Sequence, residues 1–424
     1  MGLRARSFAL ALAAGAVVLV AGCGRRNGRT GQGPYADMVA DAVPKVEKAM
    51  GVPFKTPPKL EVRTREQVRD FLLKKFDQET PAAELAGEEA AYKAFGFIPD
   101  SLNLRDFLVK LLTEQIVGYY DPGPKVLYIV QGAPEDLAGV TVTHELVHAL
   151  QDQYVNLDSI QRATGDNDRQ MAAQAVIEGE ATYEQMAIMT GTGNIATLLP
   201  GGWDRVREMI RETQGSQPVF ASAPEVIQEE LLFPYLSGAE FIRRFKTHYP
   251  NKLPLTDMPV STTQILHESA FFGDTVDVPA TVVLPRTAGT TVDENDLGEF
   301  DTRLFLYRHT RDQTLAVNAA EGWDGDRYRV LKEPSGTAVV WVTVWRTNVA
   351  AAQFVSALGQ ASQRRYRTPD PAVASSGRRT YRGKTRQVQI TPMTIGGRQA
   401  VVYVDVPAGS SFALFDPAAI QVRK

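Results

Sequence analysis

The chain has 424 residues, 44% of them hydrophobic and 22% charged, the balance of a globular protein long enough for two or three domains. Its formal net charge is −3, from 46 Lys and Arg against 49 Asp and Glu. A mildly acidic chain argues against nucleic acid as the main partner.

The N-terminus reads MGLRARSFALALAAGAVVLVAGC: two arginines, an apolar run from Phe8 to Ala21, then Cys23, the only cysteine. That layout is a secretory signal, too short and wrongly flanked for a stable membrane span. Val20 to Cys23, VAGC, resembles a bacterial lipobox. The resemblance implies a lipoprotein signal peptide over residues 1–22 and a lipid on the Cys23 thiol; an ordinary signal with an incidental cysteine is the alternative. Residues 1–22 hold Arg4 and Arg6 and no acid, so their removal leaves 44 basic against 49 acidic residues, a net charge of −5. The expected location is outside the cytoplasm, anchored to the bacterial membrane in the cell envelope. Residues 23–34, rich in Gly and Arg, read as a flexible tether whose arginines can meet anionic headgroups.

From Tyr35 to about Leu112 the spacing is mostly helical, as in EQVRDFLLKKF and LRDFLVKLL, with PKLEVRT (58–64) as a strand. Ile116 to Val130, IVGYYDPGPKVLYIV, predicts a hairpin, because two runs rich in β-branched and aromatic residues flank Asp121-Pro122-Gly123-Pro124. A helix carrying TVTHELVHALQDQY follows, then a second helical stretch from Asp168 to Thr190. Residues 191–224 read as a long loop with one short helix, and PEVIQEELLFPYLSGAEFIRRF returns to helical spacing. Beyond about Leu284 the pattern becomes α+β. FDTRLFLYRHTRDQTLAVNAA predicts a helix, DRYRVLKE and GTAVVWVTVWR strands, and NVAAAQFVSALGQASQ another helix. RQVQITPMTIGGRQAVVYVDVP predicts a hairpin turning at Gly396-Gly397. Between Arg364 and Arg386 stand seven arginines and Lys384 against one acid, Asp370, which reads as a solvated loop or a contact with anionic lipid or cell-wall polymer.

The chemistry concentrates at HELVH. Residues four apart on a helix share a face, so His144 and His148 can converge on one metal ion. Glu145 lies about 100° around the helix, within reach of a water at that ion without competing as a ligand. Zn2+ suits imidazole donors, tolerates an open fourth position and lowers the pKa of a bound water from about 15.7 towards 7. A third ligand is required, and no histidine stands six positions on; that position is Tyr154. The next helical stretch offers AVIEGEATY, in which Glu178 and Glu180 lie about 200° apart, so that one alone can face the metal. Glu178 shares its face with Met171, Ala175, Ala181 and Thr182, mostly small residues that leave room for a metal, and is the preferred ligand over Glu180.

HELVH with a downstream E-G-x-A resembles the gluzincin zinc metallopeptidases, the thermolysin- and aminopeptidase-like group. It departs from the aminopeptidase branch at Ile177, where that branch has asparagine, and in the longer spacing to Glu178. With GYYDP before the motif and STTQILHES (261–269) after it, the chain is also similar to a group of little-characterised bacterial lipoproteins. The resemblance implies an α+β fold: a small sheet with an edge hairpin plus a helical subdomain over residues 35–284, followed by a C-terminal α+β domain over 285–424. It further implies His144, His148 and Glu178 as zinc ligands, Glu145 as general base, and an edge strand in Ile116 to Val130 that pairs with an extended peptide.

The expected activity is hydrolysis of a peptide or protein substrate in the envelope, with an oxyanion donor sought first at His267, then at Tyr235, then at His248. Asp152, one turn past His148, is a candidate to orient that imidazole. The alternative is an envelope binding or assembly lipoprotein that keeps zinc as a structural, non-catalytic site. Oligomeric state is not legible in the chain.

Overall fold

The computed structural model of the protein describes residues 10–12, 35–79, 81–161, 165–192, 202, 205–208 and 217–424. Cys23, the expected tether and all of the expected signal peptide except Leu10–Leu12 lie outside them, as does most of the expected loop between 191 and 216. Among the described residues, no helix is long and apolar enough to cross a membrane.

The expected hairpin forms from β3 (Ile116–Asp121) and β4 (Val126–Val130), with Gly118 opposite Ile129 and Asp121 opposite Val126. Its turn closes through Lys125, which takes φ 60° and donates its N–H to the Asp121 carbonyl at 2.9 Å. β2 (Lys59–Arg63) adds in parallel beside β4. On the other side, β1 (Leu10–Leu12) lies antiparallel along the edge of β3, with Leu10 opposite Tyr119. The sheet order is β1-β3-β4-β2.

Helices α1 (Ala36–Met50), α2 (Arg65–Glu79), α3 (Ala82–Phe95) and α4 (Leu104–Gln115) precede or flank this sheet. Asn103 caps α4 by accepting the Asp106 N–H at 2.9 Å, which is why that helix starts where it does. α5 (Glu135–Tyr154) carries HELVH, and Glu135 and Asp136 in its first turn suit the positive end of its dipole. After the short α6 (Leu157–Gln161) comes α7 (Asn167–Thr190), started by the Asp166 side chain on the Arg169 N–H and stopped at Gly191, φ 73°. The four-residue α8 (Pro218–Ala221) leads to α9 (Glu225–His248), which runs on through Pro234.

α7 and α9 cross where Gly179 meets Gly238: a Cβ at either position would overlap the other helix's backbone. Small residues at a crossing let two axes approach and lock their register. Two one-turn helices follow, α10 (Thr262–Leu266) and α11 (Glu268–Phe272), with His267 between them.

The C-terminal half is richer in strands. The paired β5 (Thr281–Val283) and β13 (Gln421–Arg423) accompany a seven-stranded sheet ordered β6-β7-β8-β12-β11-β10-β9. Its strands are β6 (Thr290–Asn295), β7 (Trp323–Glu333), β8 (Gly336–Trp345), β9 (Ala372–Val373), β10 (Arg379–Arg382), β11 (Arg386–Ile395) and β12 (Arg398–Pro407). β11 and β12 form the expected hairpin, turning at Gly396 and Gly397 with φ 57° and 81°. α12 (Gly298–Thr310) and α14 (Asn348–Tyr366) pack on this sheet, and α13 (Gln313–Ala320) packs against both helices.

The α+β class and the two-part character, helix-rich and then strand-rich, match the expectation. Two readings are corrected. The single helix expected over 300–320 is two, because Arg311 turns left-handed at φ 55° and Asp312 starts a new helix by capping the Leu315 N–H. The arginine-rich stretch is not simply a solvated loop: β9 and β10 lie within it, Arg365 donates to the Ala94 carbonyl at 2.6 Å, and Arg386 pairs with buried Asp405 at 2.7 Å. The two halves also share a core. Phe95 on α3 meets Phe305, Tyr328 and Trp341 edge-on at 5.1–5.8 Å, so one apolar cluster crosses the expected boundary at 284/285.

Candidate metal centre

One helical turn separates His144 from His148, and their rings stand 4.8 Å apart at 81° to each other. α7 lies across them and brings in Glu178. The Glu178 Oε2 is 3.2 Å from His144 Nε2 and 3.4 Å from His148 Nε2, and one ligand atom from each residue lies within 4.8 Å of the others. Zinc bonds of about 2.0–2.1 Å in a tetrahedron would separate ligand atoms by about 3.3 Å, which the two Glu178–imidazole distances match.

All three residues are buried, at 4% or less exposure. Among the described residues, His148 Nε2 and Glu178 Oε1 find no hydrogen-bond partner. Buried polar atoms without partners are costly, and a cation between them removes that cost.

The electrostatics agree. Burial pulls the His148 pKa down, but the Glu178 and Glu145 carboxylates outweigh it and raise it to about 9. Burial pushes Glu178 up, and the two imidazoles override it and hold it at about 2. His144, with burial dominant, stays below the ordinary histidine value. Without a metal the site therefore holds a proton on His148 beside an ionised Glu178. A divalent cation would suit the same electrostatic niche.

Glu145 is fully buried, and its Oε2 accepts the backbone N–H of Tyr120 at 2.6 Å. The HELVH helix is thereby tied to β3. Gly118 makes the close packing possible, since a Cβ there would crowd Thr141 and the Tyr128 carbonyl. Asp152 does not orient His148; it accepts from the Tyr120 hydroxyl at 2.9 Å. Gln151 stands against His148 Nδ1 instead, at 2.9 Å, and Gln185 against His144 Nδ1 at 3.0 Å. Neither was singled out from sequence, although a signal exists: Gln151 is three residues past His148 and Gln185 two helical turns past Glu178, each on the face of its ligand.

Glu180 points elsewhere, accepting from Gln151 Nε2 at 2.8 Å, and burial raises it to about 7 against the pull of Gln151 and Lys246. Tyr235, three residues before the Gly238 crossing, lays its ring 6.0 Å from that of His144 at 23°. His267 turns its Nε2 to buried Glu299 at 2.7 Å, with Arg303 at 3.1 Å. His248 sits at the surface, bonded to Glu268 at 2.9 Å and stacked on Phe272.

A family model described as a domain of unknown function (DUF8575) matches residues 285–409. The matched range contains none of His144, Glu145, His148 and Glu178. No curated protein and no solved structure matches the chain. The described residues thus hold a His-His-Glu arrangement able to coordinate a metal ion, of the kind that metal-dependent hydrolysis uses.

Proposed function

We propose that the protein is a gluzincin-like zinc metallopeptidase of the bacterial cell envelope, anchored through a lipid on Cys23 once residues 1–22 are removed. In this reading residues 35–284 carry the catalytic part and 285–424 a second part that shares its core. One observation carries the reading: two imidazoles and a carboxylate converge, with buried lone pairs unsatisfied, beside a glutamate that a backbone N–H holds in place. His144, His148 and Glu178 would hold the zinc, which when bound supplies Lewis acidity for a carbonyl and a water.

The chain's own groups do the rest. Glu145, aimed by the Tyr120 N–H, takes a proton from the attacking water and passes it to the leaving amine. Tyr235, lying beside His144, is assigned as the donor to the developing oxyanion. His267, engaged by Glu299 and Arg303, is assigned to the packing of α10 and α11 on α12. The outer edge of β3 pairs antiparallel with Leu10–Leu12, which supports its use by an extended peptide after the leader is gone.

A second reading, a binding lipoprotein with structural zinc, draws on the burial of all three ligands and Glu145. The two part on one assay: zinc content, and digestion of a peptide library, for wild type, Glu145→Gln and Tyr235→Phe. A peptidase keeps its zinc in both variants and loses about 10²–10⁴-fold of turnover in Glu145→Gln and about 10²-fold in Tyr235→Phe. Zinc in all three with cleavage by none selects the binding lipoprotein.

A further inference from the structure

Gln151 is 1% exposed, and both ends of its carboxamide are engaged. Its Nε2 donates to the Ile177 carbonyl at 3.2 Å and to Glu180 Oε2 at 2.8 Å, while its Oε1 faces His148 Nδ1 at 2.9 Å. A carbonyl oxygen can only accept, so the Ile177 contact decides which end of the carboxamide is nitrogen. With the amide set, Oε1 must be the acceptor and His148 Nδ1 the donor. In the neutral ring that a metal requires, the other nitrogen, Nε2, then carries the lone pair, and this is the atom 3.4 Å from Glu178 Oε2.

The same contact has a second effect. Ile177 immediately precedes Glu178, so Gln151 ties the ring of one ligand to the backbone turn that carries another. Gln185 reaches in the opposite sense, from α7 to His144 Nδ1 on α5. The pair straps the two ligand-bearing helices together from both sides.

A carboxylate would accept from an imidazole equally well, and it is a common partner of metal-bound histidine. Here three buried carboxylates already stand around His148 and Gln151: Glu145, Glu178 and Glu180. A further negative charge at position 151 would face Glu180 directly, whereas a carboxamide orients the ring without adding charge.

We propose that Gln151 is the positioning residue of the metal centre, fixing the tautomer of His148 and the spacing between the HELVH turn and Glu178, with Gln185 performing the first of these tasks for His144. The inference rests on the metal-site reading above.

The test needs no substrate. Zinc affinity of the full-length protein is measured by chelator competition, and the visible spectrum of the Co(II)-loaded protein is recorded, for wild type, Gln151→Leu, Gln151→Asn and Gln185→Leu. Gln151→Asn keeps the pocket polar while withdrawing the acceptor from the ring, and so guards against a Leu variant that does not fold. Both Gln151 variants are expected to lose about 10–100-fold in zinc affinity and to shift the Co(II) bands; Gln185→Leu is expected to lose about 10-fold. Affinity and spectrum unchanged in the Gln151 variants, with zinc-free and zinc-loaded melting lowered equally, would reduce Gln151 to packing and overturn the proposal. Wild-type protein that binds no zinc would overturn the metal-site reading itself, and that result is visible before any variant is made.

Discussion

Two buried acids, Glu178 at the candidate metal centre and Asp326 on β7 of the C-terminal sheet, look alike by exposure and differ in their partners. Asp326 accepts four hydrogen bonds, from the Leu297 and Gly298 N–H groups and the Trp323 and Trp341 indoles, at 2.8–3.1 Å. Its neighbours are similarly provided: Asp168 accepts from the Thr262 N–H at 2.9 Å, and Asp296 from the Asp168 N–H at 2.8 Å. Burial still pushes Asp326 and Asp168 above the ordinary carboxylate range. Glu178 has two imidazoles beside one oxygen and, among the described residues, no donor on the other, and it is held at about 2. Exposure alone therefore does not mark a functional acid. Asp326 is completed by its protein donors, joining α12 to the sheet, whereas the described residues leave one oxygen of Glu178 without a donor.

The comparison can be broken by experiment. Glu178→Ala should abolish zinc retention. Wild type with zinc at about 1,000 times its dissociation constant gains about 4 kcal/mol over the metal-free form, and the variant should gain none, as read from melting with and without chelator. Asp326→Ala strands four donors and should cost about 3 kcal/mol in denaturant unfolding while leaving zinc content unchanged. Lost zinc with unaltered stability would mean the two acids had been assigned the wrong way round.

Gly238→Ala sharpens the contrast, since its methyl group meets the Ala175 carbonyl and forces α7 away from α9. About 2 kcal/mol of stability should go, together with some zinc affinity, because Glu178 adjoins the crossing. An Ala variant with native affinity would show that the crossing does not place the ligand.

The smallest effect is on pH dependence of the metal-free protein. His148, raised from 6.5 to about 9, contributes stability that is complete below 6.5 and lost as pH rises through 9. Glu178, lowered from 4.5 to about 2, contributes stability present above 4.5 and lost as pH falls through 2. The unfolding free-energy difference between metal-free wild type and His148→Gln should therefore shrink between pH 6.5 and 9. A difference that stays constant across that window would remove the shared proton from the account.

The features legible in the amino-acid order are local and periodic. Four-residue spacing put His144 and His148 on one face, and the opposed directions of Glu178 and Glu180 meant that one alone could face them, because a helix sets angles from sequence distance alone. The hairpins followed from their turn residues for the same reason. Tertiary structure alone decided what meets across elements. Gly179 pairs with Gly238, Tyr235 lies on His144, Gln151 reaches back to Ile177, and α3 packs on a sheet formed more than two hundred residues later. Such contacts depend on how whole helices settle against one another, and no spacing within a single helix encodes them. His267 illustrates the limit: a histidine in a loop carries no periodicity, and its bond to Glu299 is visible only once α12 is in place.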